Sequence, residues 1–397
     1  MSVSSPPLPP PSARLTSLDA FRGAIMLYMA SHGLGLTQVA QKLPEQPWTS
    51  LAWWFDHVTW SGGSTWDLIQ PAFMFMVGVA LPFSYARRRD QGDSFQRILG
   101  HAFVRAAILV LLAVFLASRS GKGTVWEFPN VLAQIGFGYP FLLFVLNRRV
   151  GVQAAVAGGI LAAYWLFFAL HPLAPAGFDY AKVGVKAAEV TGGAVFDGFF
   201  GHWSKGTNAA AAFDGWLLNL FPRATPFVFN AGGYATLNFV PSFATMLFGL
   251  MAGECLRSER TAPAKLRALL LGALALVLLG LVAGSTICPI VKRIWTPSWA
   301  LVSGGLVVGM LAGFYWVIDV LGYRHWAKFL VVVGMNSIAI YLMSQLMRPF
   351  LAETLRTHLG PDLFRGTFGP VVSACLTLFI FWLICWWMHR RKIFLRI

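Results

Sequence analysis

Residues 268–289 read ALLLGALALVLLGLVAGSTICP, a stretch that contains no charged side chain. An α-helix needs about 20 mostly apolar residues to cross the hydrocarbon core of a bilayer, so this stretch predicts a transmembrane helix. Nine further stretches have a similar character, and together they predict an all-α fold, a polytopic membrane helix bundle with about ten transmembrane helices. The predicted spans are 18–38, 66–86, 99–118, 130–147, 151–171, 239–256, 268–289, 299–321, 328–346 and 367–388.

The composition excludes several other classes of protein. Of 397 residues, 57% are hydrophobic and only 12% are charged, and the mean hydropathy is +0.63. Charged residues are about half as frequent as in soluble domains, so a soluble enzyme, a nucleic-acid-binding module and a disordered chain are excluded. A β-barrel does not fit either, because the apolar runs are continuous rather than alternating.

The basic residues predict how the bundle lies in the membrane. The net charge is +15, and the Lys and Arg residues cluster in short segments between apolar spans, which is the pattern of cytoplasmic loops. This distribution places both termini in the cytoplasm and argues against a nucleic-acid partner. The four cysteines show neither a disulfide framework nor the spacing of a metal site, so no metal is expected.

Two regions lie outside the predicted spans and differ from the short loops. Residues 1–17 are rich in Pro and Ser and predict a disordered lead-in rather than a cleaved signal peptide. The transmembrane domain then occupies residues 18–397. Within it, the long segment 172–238 predicts an extracytoplasmic loop, and long ordered loops are usually functional.

Polar side chains within apolar spans are candidates for binding or catalysis, because burying them in a membrane is costly. Asp19 and Arg22 are three residues apart and share a helix face, where they form either a structural ion pair or a ligand site. His32 and Gln134 are either packing residues or members of a polar pathway. The same alternatives hold for Asn336 and its neighbour Ser337.

The segment 53–84, WWFDHVTWSGGSTWDLIQPAFMFMVGVALPFS, holds the richest set of candidate residues. His57 is suited to proton transfer near neutral pH, and Asp67, ten residues later, is a carboxylate that can orient the imidazole. Trp60 lies in the turn between them. Interfacial His and Trp residues also anchor proteins at membrane surfaces, so catalysis and anchoring both remain open on these residues alone.

Six short motifs occur in order along nearly the whole chain. They are Leu18-Asp19-Ala20-Phe21-Arg22-Gly23; His57-x-x-Trp60-x-Gly62 followed by Asp67-Leu68-Ile69-x-Pro71-x-Phe73-x-Phe75-x-x-Gly78; Asn130-Val131-Leu132-x-Gln134-x-Gly136; Phe248-Gly249-x-x-Ala252-Gly253; Gly334-Met335-Asn336-Ser337-Ile338; and Arg391-Lys392-Ile393-Phe394. In these motifs the sequence resembles the transmembrane acetyltransferases typified by heparan-α-glucosaminide N-acetyltransferase.

The resemblance implies a reaction and its catalytic residues. The family transfers an acetyl group from cytosolic acetyl-CoA to an amine of a terminal glucosamine on the far side of the membrane. Its active-site histidine matches His57, acting as a base or as an acetyl carrier, and its carboxylate matches Asp67. The chain departs from the family at His32, Ser61 and Gln70, where the family has Asn, Asn and Phe, and these departures leave the acceptor open.

The binding residues follow from the same resemblance and from the charge map. The phosphates of CoA are expected against basic residues at the cytoplasmic ends of spans, although such residues also serve only to set topology. The candidates for acetyl-CoA are Arg87, Arg88, Arg148, Arg149, Arg390 and Lys392. The candidates for the substrate are Asp19, Arg22, His32, Trp60, Gln134, Asn336 and Ser337.

Two alternative functions use the same residues. One is an O-acetyltransferase that modifies a hydroxyl of a periplasmic glycan. The other is a proton-coupled solute transporter, in which Asp19, Arg22, His32 and Asp67 form a relay. The expected surroundings are a lipid bilayer, taken to be the bacterial inner membrane, and a homodimer is expected because relatives form dimers.

Overall fold

The protein is a bundle of α-helices. A computed structural model describes residues 15–119, 121 and 123–395, and no β-strand occurs among them. The α-helices are α1 Thr16–Ala30, α2 Leu36–Lys42, α3 Trp48–Trp54, α4 Ile69–Asp90, α5 Phe95–Ser118, α6 Val131–Val145, α7 Val150–Ala169, α8 Ala187–Glu189, α9 Ala209–Leu217, α10 Phe239–Arg257, α11 Ala262–Thr286, α12 Pro297–Phe314, α13 Lys328–Gly334, α14 Ser337–Leu346, α15 Arg348–Leu359 and α16 Gly369–Arg390.

The predicted membrane-spanning character is confirmed, but the count of about ten is not. In the described residues, seven helices are long and apolar enough to cross a bilayer, namely α4, α5, α7, α10, α11, α12 and α16. The pair α13 and α14 adds an eighth span if its 75° bend is counted as one broken helix. The first and fourth predicted spans are the helices α1 and α6, each of 15 residues. A helix of that length reaches about 22 Å, which is less than the hydrocarbon thickness of about 30 Å.

The predicted disordered lead-in falls mostly outside the described residues, which begin at Leu15. Its last two residues are helical, because α1 begins at Thr16. Ser17 is fully buried, and its backbone N–H donates to Asp319 Oδ2 over 3.2 Å. The boundary of the folded part therefore lies before residue 18.

The long helices give the bundle two ends with different chemistry. The basic end is defined by the start of α1 at Thr16 and by the ends of α4 and α16, which carry Arg87–Arg89 and Arg390 in their last turns. At the opposite end, called the His57 end, Tyr28 near the end of α1 hydrogen-bonds Thr65 just before α4, with 2.7 Å between their hydroxyl oxygens.

The helices α4 and α10 are packed backbone to backbone in the centre of the bundle. Cβ atoms added to Gly78 and Gly249 would lie 1.9 Å from Met246 O and 2.0 Å from Phe75 O. Glycine is therefore required at these crossing positions, as at the close helix contacts of many membrane proteins. This contact fixes the position of α4, which begins two residues after Asp67.

The predicted loop 172–238 is ordered in part as short helices, including α8 and α9, and it packs onto the His57 end. Trp203 is fully buried and stacks on Phe168 of α7, with ring centroids 6.2 Å apart. Asp214 of α9 is buried and accepts a hydrogen bond from the backbone N–H of Thr236 over 2.9 Å. The segment thereby connects to the residues that lead into α10.

We expect Gly249→Ala to destabilise the protein, because the added methyl group overlaps the backbone of α4. Overpacking of this kind costs about 1–3 kcal/mol. Thermal unfolding of the purified protein in detergent measures the effect. The control is Gly272→Ala in α11, where an added Cβ meets nothing within 4 Å and alanine favours the helix. Equal melting temperatures for the two variants would contradict the close α4–α10 contact.

We expect Asp214 to make the protein less stable as the pH rises. Burial raises the pKa of its carboxyl from 3.8 to about 6, against the lowering effect of the Thr236 hydrogen bonds, and the nearby Glu127 raises it further. Between about pH 4 and pH 6 the folded protein therefore keeps a proton on Asp214 that the unfolded chain has already lost. The free energy of unfolding falls as the pH rises through this window. The melting temperature of Asp214→Asn should fall less than that of the wild type between pH 4 and pH 7. Parallel pH profiles for the two proteins would contradict this assignment.

Candidate functional site

His57 lies in a turn that the backbone of a distant loop holds in place. The turn, residues 55–65, follows α3 and leads to a short 3-10 helix, Trp66–Leu68, which precedes α4. Gly62 adopts a φ of 92°, which favours glycine, and its N–H donates to Ile290 O over 2.8 Å. Ser61 and Gly62 both form bridges to Val291. The loop after α11 therefore supports the His57 turn.

The His57 imidazole is paired with a buried carboxylate. The distance from His57 Nδ1 to Asp67 Oδ1 is 2.6 Å. The Asp67 side chain has no solvent exposure, whereas the His57 side chain is 36% exposed. The second carboxylate oxygen, Oδ2, accepts backbone N–H groups from Val58 over 3.2 Å and from Ser64 over 3.1 Å. These bonds fix the orientation of the carboxylate.

The short contact assigns the tautomer of His57. A carboxylate oxygen is only an acceptor, so a separation of 2.6 Å from a ring nitrogen requires a proton on that nitrogen. The Nδ1 atom therefore carries the proton, and the Nε2 atom of a neutral imidazole keeps its lone pair. An exposed imidazole oriented in this way can accept a proton from a bound molecule or attack an electrophilic carbon.

Lys292 is a third member of the site, and the sequence analysis missed it. Its side chain is 4% exposed, and its Nζ atom lies 3.2 Å from Asp67 Oδ1 and 3.1 Å from His57 Nδ1. The same atom is 3.5 Å from Tyr234 Oη. The sequence did contain a signal, because Lys292 and Arg293 follow a predicted span on the side where basic residues are scarce.

Trp60, His32 and Gln134 lie at the His57 end but have different surroundings. Trp60 is buried, and its Nε1 donates to Trp203 O over 3.1 Å, so its indole anchors the turn to the segment 172–238. His32 is exposed and follows α1 at a φ of 53°. Gln134 is fully buried and accepts a 2.9 Å hydrogen bond from Gln70 Nε2, one turn beyond Asp67.

The other substrate candidates lie away from His57. Asp19 and Arg22 are in the first turns of α1 at the basic end, 3.8 Å apart, and Asp19 is about 14 Å along the helix from Tyr28. Asn336 is fully buried at the bend between α13 and α14. Its side-chain amide donates to Ile393 O over 3.1 Å and accepts from Leu395 N over 3.2 Å. Ser337 is half-buried at the start of α14.

The cofactor candidates all lie toward the basic end, in three groups. Arg87 and Arg88 are in the last turn of α4, Arg148 and Arg149 are between α6 and α7, and Arg390 and Lys392 are at the end of α16 or just beyond it. Among them, Arg390 is next to a cavity, because its guanidinium lies 5.1 Å from the ring centroid of Trp386, which lines that cavity.

This cavity at the basic end has a volume of about 410 Å³, which falls in the range of sites for small molecules. Two of its lining residues, Arg324 and Lys328, carry a positive charge, and His389 adds a titratable ring. Sequence reasoning did not select these residues for binding, because they come from separate segments of the chain. The residues that line the cavity are Thr16, Arg324, Lys328, Val331, Val332, Trp386 and His389. In the described part of the chain, no group of three His, Cys, Asp or Glu residues is arranged to hold a metal.

Comparison with known proteins supports the resemblance seen in the motifs. No family model matches the chain. It is similar to heparan-alpha-glucosaminide N-acetyltransferase of Homo sapiens, with 23% identity over 424 residues and 98% of this chain, and of Mus musculus, with 24% identity over 427 residues and 97% of this chain. The chain spans 60% of the length of each relative. At this identity and coverage the similarity selects no particular member of the family.

Proposed function

We propose that the protein transfers an acetyl group from acetyl-CoA to an amine of an amino sugar or glycan, with His57 as the catalytic residue. The observation that carries the proposal is the partly exposed imidazole whose Nδ1 is held by the buried Asp67, 2.6 Å away. The membrane bundle and the N-acetyltransferase relatives support the same activity.

The reaction needs a base, because an ammonium group has no lone pair with which to attack a thioester. In the proposed step, His57 Nε2 takes a proton from the acceptor, and the amine nitrogen then bonds to the acetyl carbonyl carbon. The adduct nitrogen then holds one proton more than the amide needs. The carbon–sulfur bond breaks, and the CoA sulfur leaves with the bonding electrons and takes up this second nitrogen proton. His57 gives the first proton to solvent. The same Nε2 lone pair also suits direct attack on the thioester, which would make His57 a transient acetyl carrier.

The charge distribution supports a sided arrangement of the two substrates. We propose that the basic end faces the cytoplasm and that His57 faces the extracytoplasmic side, as the positive-inside rule indicates. CoA would enter at the basic end, with its phosphates against Arg324 and Lys328 in the 410 Å³ cavity and near Arg390. Its acetylated arm would reach toward His57 through the bundle.

A single observation favours the transporter alternative. The pair α13 and α14 is bent by 75°, and broken helices hold substrates and ions in many transporters. A transporter of another solute would neither bind nor consume acetyl-CoA. Binding and turnover of acetyl-CoA by the purified protein therefore separate the two functions.

We expect His57→Ala to lower acetyl transfer by at least about 10²-fold, because general bases contribute roughly 10²–10⁴-fold to such reactions. Transfer of labelled acetyl from acetyl-CoA to glucosamine, measured with purified protein in nanodiscs, tests this. His101→Ala in α5 is the control, since His101 is exposed and lies outside the site. Turnover that survives in His57→Ala would remove His57 from the mechanism.

We expect Arg324→Gln and Lys328→Gln each to weaken the binding of CoA, by about tenfold, because ionic hydrogen bonds to phosphate are lost. Calorimetry measures the affinity for CoA and for pantetheine, the thiol arm of CoA that carries no phosphate. The affinity for pantetheine should not change. Arg87→Gln and Arg88→Gln remove the same charge elsewhere at the basic end. If only the α4 variants weaken CoA binding, the phosphates rest at the end of α4 instead of in the cavity.

A further inference from the structure

We propose that Lys292 is a positioning residue that neutralises the Asp67 carboxylate and so keeps the resting His57 imidazole uncharged. The inference rests on the proposed function for its catalytic meaning, because only an uncharged imidazole can accept a proton. It comes from the three-way contact of Lys292 Nζ with Asp67 Oδ1, His57 Nδ1 and Tyr234 Oη.

The proton positions follow from the distances. Asp67 Oδ1 lies 2.6 Å from His57 Nδ1 and 3.2 Å from Lys292 Nζ, so this one oxygen accepts both donors. Since Nδ1 already carries the proton that it shares with Asp67, the 3.1 Å contact between Nζ and Nδ1 brings two donors together. Lys292 therefore acts on His57 through the carboxylate and through its own charge.

The charges of the site balance only when His57 is neutral. Asp67 and Lys292 are 0% and 4% exposed, so their opposite charges offset each other within the protein. A proton on Nε2 would place a second cation 3.1 Å from Lys292 Nζ, and a nearby like charge disfavours the protonated ring. Without Lys292, the carboxylate alone would face the imidazole and would favour the imidazolium form instead.

Two other charged side chains near His57, those of Asp56 and Arg293, are held by hydrogen bonds that do not involve Lys292. Asp56 Oδ1 accepts the His57 backbone N–H over 2.7 Å, and its Oδ2 accepts Thr37 Oγ1 over 3.2 Å. The Arg293 guanidinium donates to the carbonyl oxygens of Gly232 and Val58. The Tyr234 ring is close to both Lys292 and Arg293, with cation-to-centroid distances of 5.4 and 5.2 Å. A comparison of Lys292 variants therefore isolates the charge at residue 292.

A purely structural role makes a different prediction. If Lys292 only fastens the loop 287–296 to Asp67, its replacement lowers stability but does not change the titration of His57. The test needs a measurement of the imidazole itself. Nuclear magnetic resonance of the protein labelled at its histidine rings provides it, with the His57 signal assigned from its loss in His57→Gln.

The experiment compares the titration midpoint of His57 in the wild type, Lys292→Gln and Lys292→Arg. We expect Lys292→Gln, which keeps a hydrogen-bond donor but loses the charge, to raise the midpoint by about one pH unit or more. Lys292→Arg should restore a midpoint close to that of the wild type. An unchanged midpoint in Lys292→Gln would overturn the proposal.

The chain offers a matched control and a second variant. Lys205 is also a buried lysine in an ion pair, with 2.6 Å between its Nζ and Glu189 Oε1, and Lys205→Gln should leave the His57 midpoint unchanged. If Lys292→Gln does not fold, Asp67→Asn combined with Lys292→Met removes both charges together. That double variant should show no rise of the midpoint, and a rise equal to one unit or more would contradict the proposed charge balance.

Acetyl transfer gives an independent readout of the same inference. In Lys292→Gln the acid limb of the pH–rate profile should move to higher pH, so activity at pH 6 falls more than activity at pH 8. Equal losses at both values would contradict the positioning role. If the wild type transfers no acetyl group, the proposed function fails, whereas the titration of His57 still decides the role of Lys292.

Discussion

The buried carboxylate of Asp67 is the group on which the His57 end depends. An ionised carboxylate without water is costly unless donors and opposite charge surround it. Here one oxygen faces the backbone N–H groups of Val58 and Ser64, and the other faces His57 and Lys292. The hydrogen bonds and the ion pair of Asp67 therefore join the turn after α3, the start of α4 and the loop after α11.

Helix packing in the lipid environment holds the segments on either side of Asp67 in position. Between apolar helices there is little hydrophobic force, so close packing and hydrogen bonds stabilise the contacts. The α4–α10 crossing through Gly78 and Gly249 holds the helix that begins after Asp67. Trp60, bonded to Trp203 O, holds the turn from the other side. The backbone around His57 is thus held on both sides, and the partly exposed edge of its imidazole remains accessible.

Sequence reasoning succeeded where the signal was local. Uninterrupted apolar runs predicted the seven or eight helices of the described residues that are long enough to span a membrane. His57 and Asp67 stood out together because a carboxylate in the same polar segment can orient an imidazole. Sequence reasoning did not find Lys292, because that contact joins residues 235 positions apart and no periodicity connects them. A role of Asp19 and Asn336 in substrate binding stays a prediction, and the composition of a span does not reveal at which end of the bundle such a polar side chain lies. The cavity at the basic end was also missed, because Arg324 and His389 come from distant segments and meet only in the folded bundle.

The separation of Lys292 from Asp67 has a consequence for how the chain is made. The helix α4 is synthesised long before α11, so the carboxylate at its start spends that interval without its cation. Placing a lone ionised carboxylate in a membrane is costly, and the Asp67 region is thus expected to stay near water until α11 and the following loop arrive. Contacts of such long range form late and slowly. The His57 end is therefore completed only after α11 and the loop that carries Lys292 have been made.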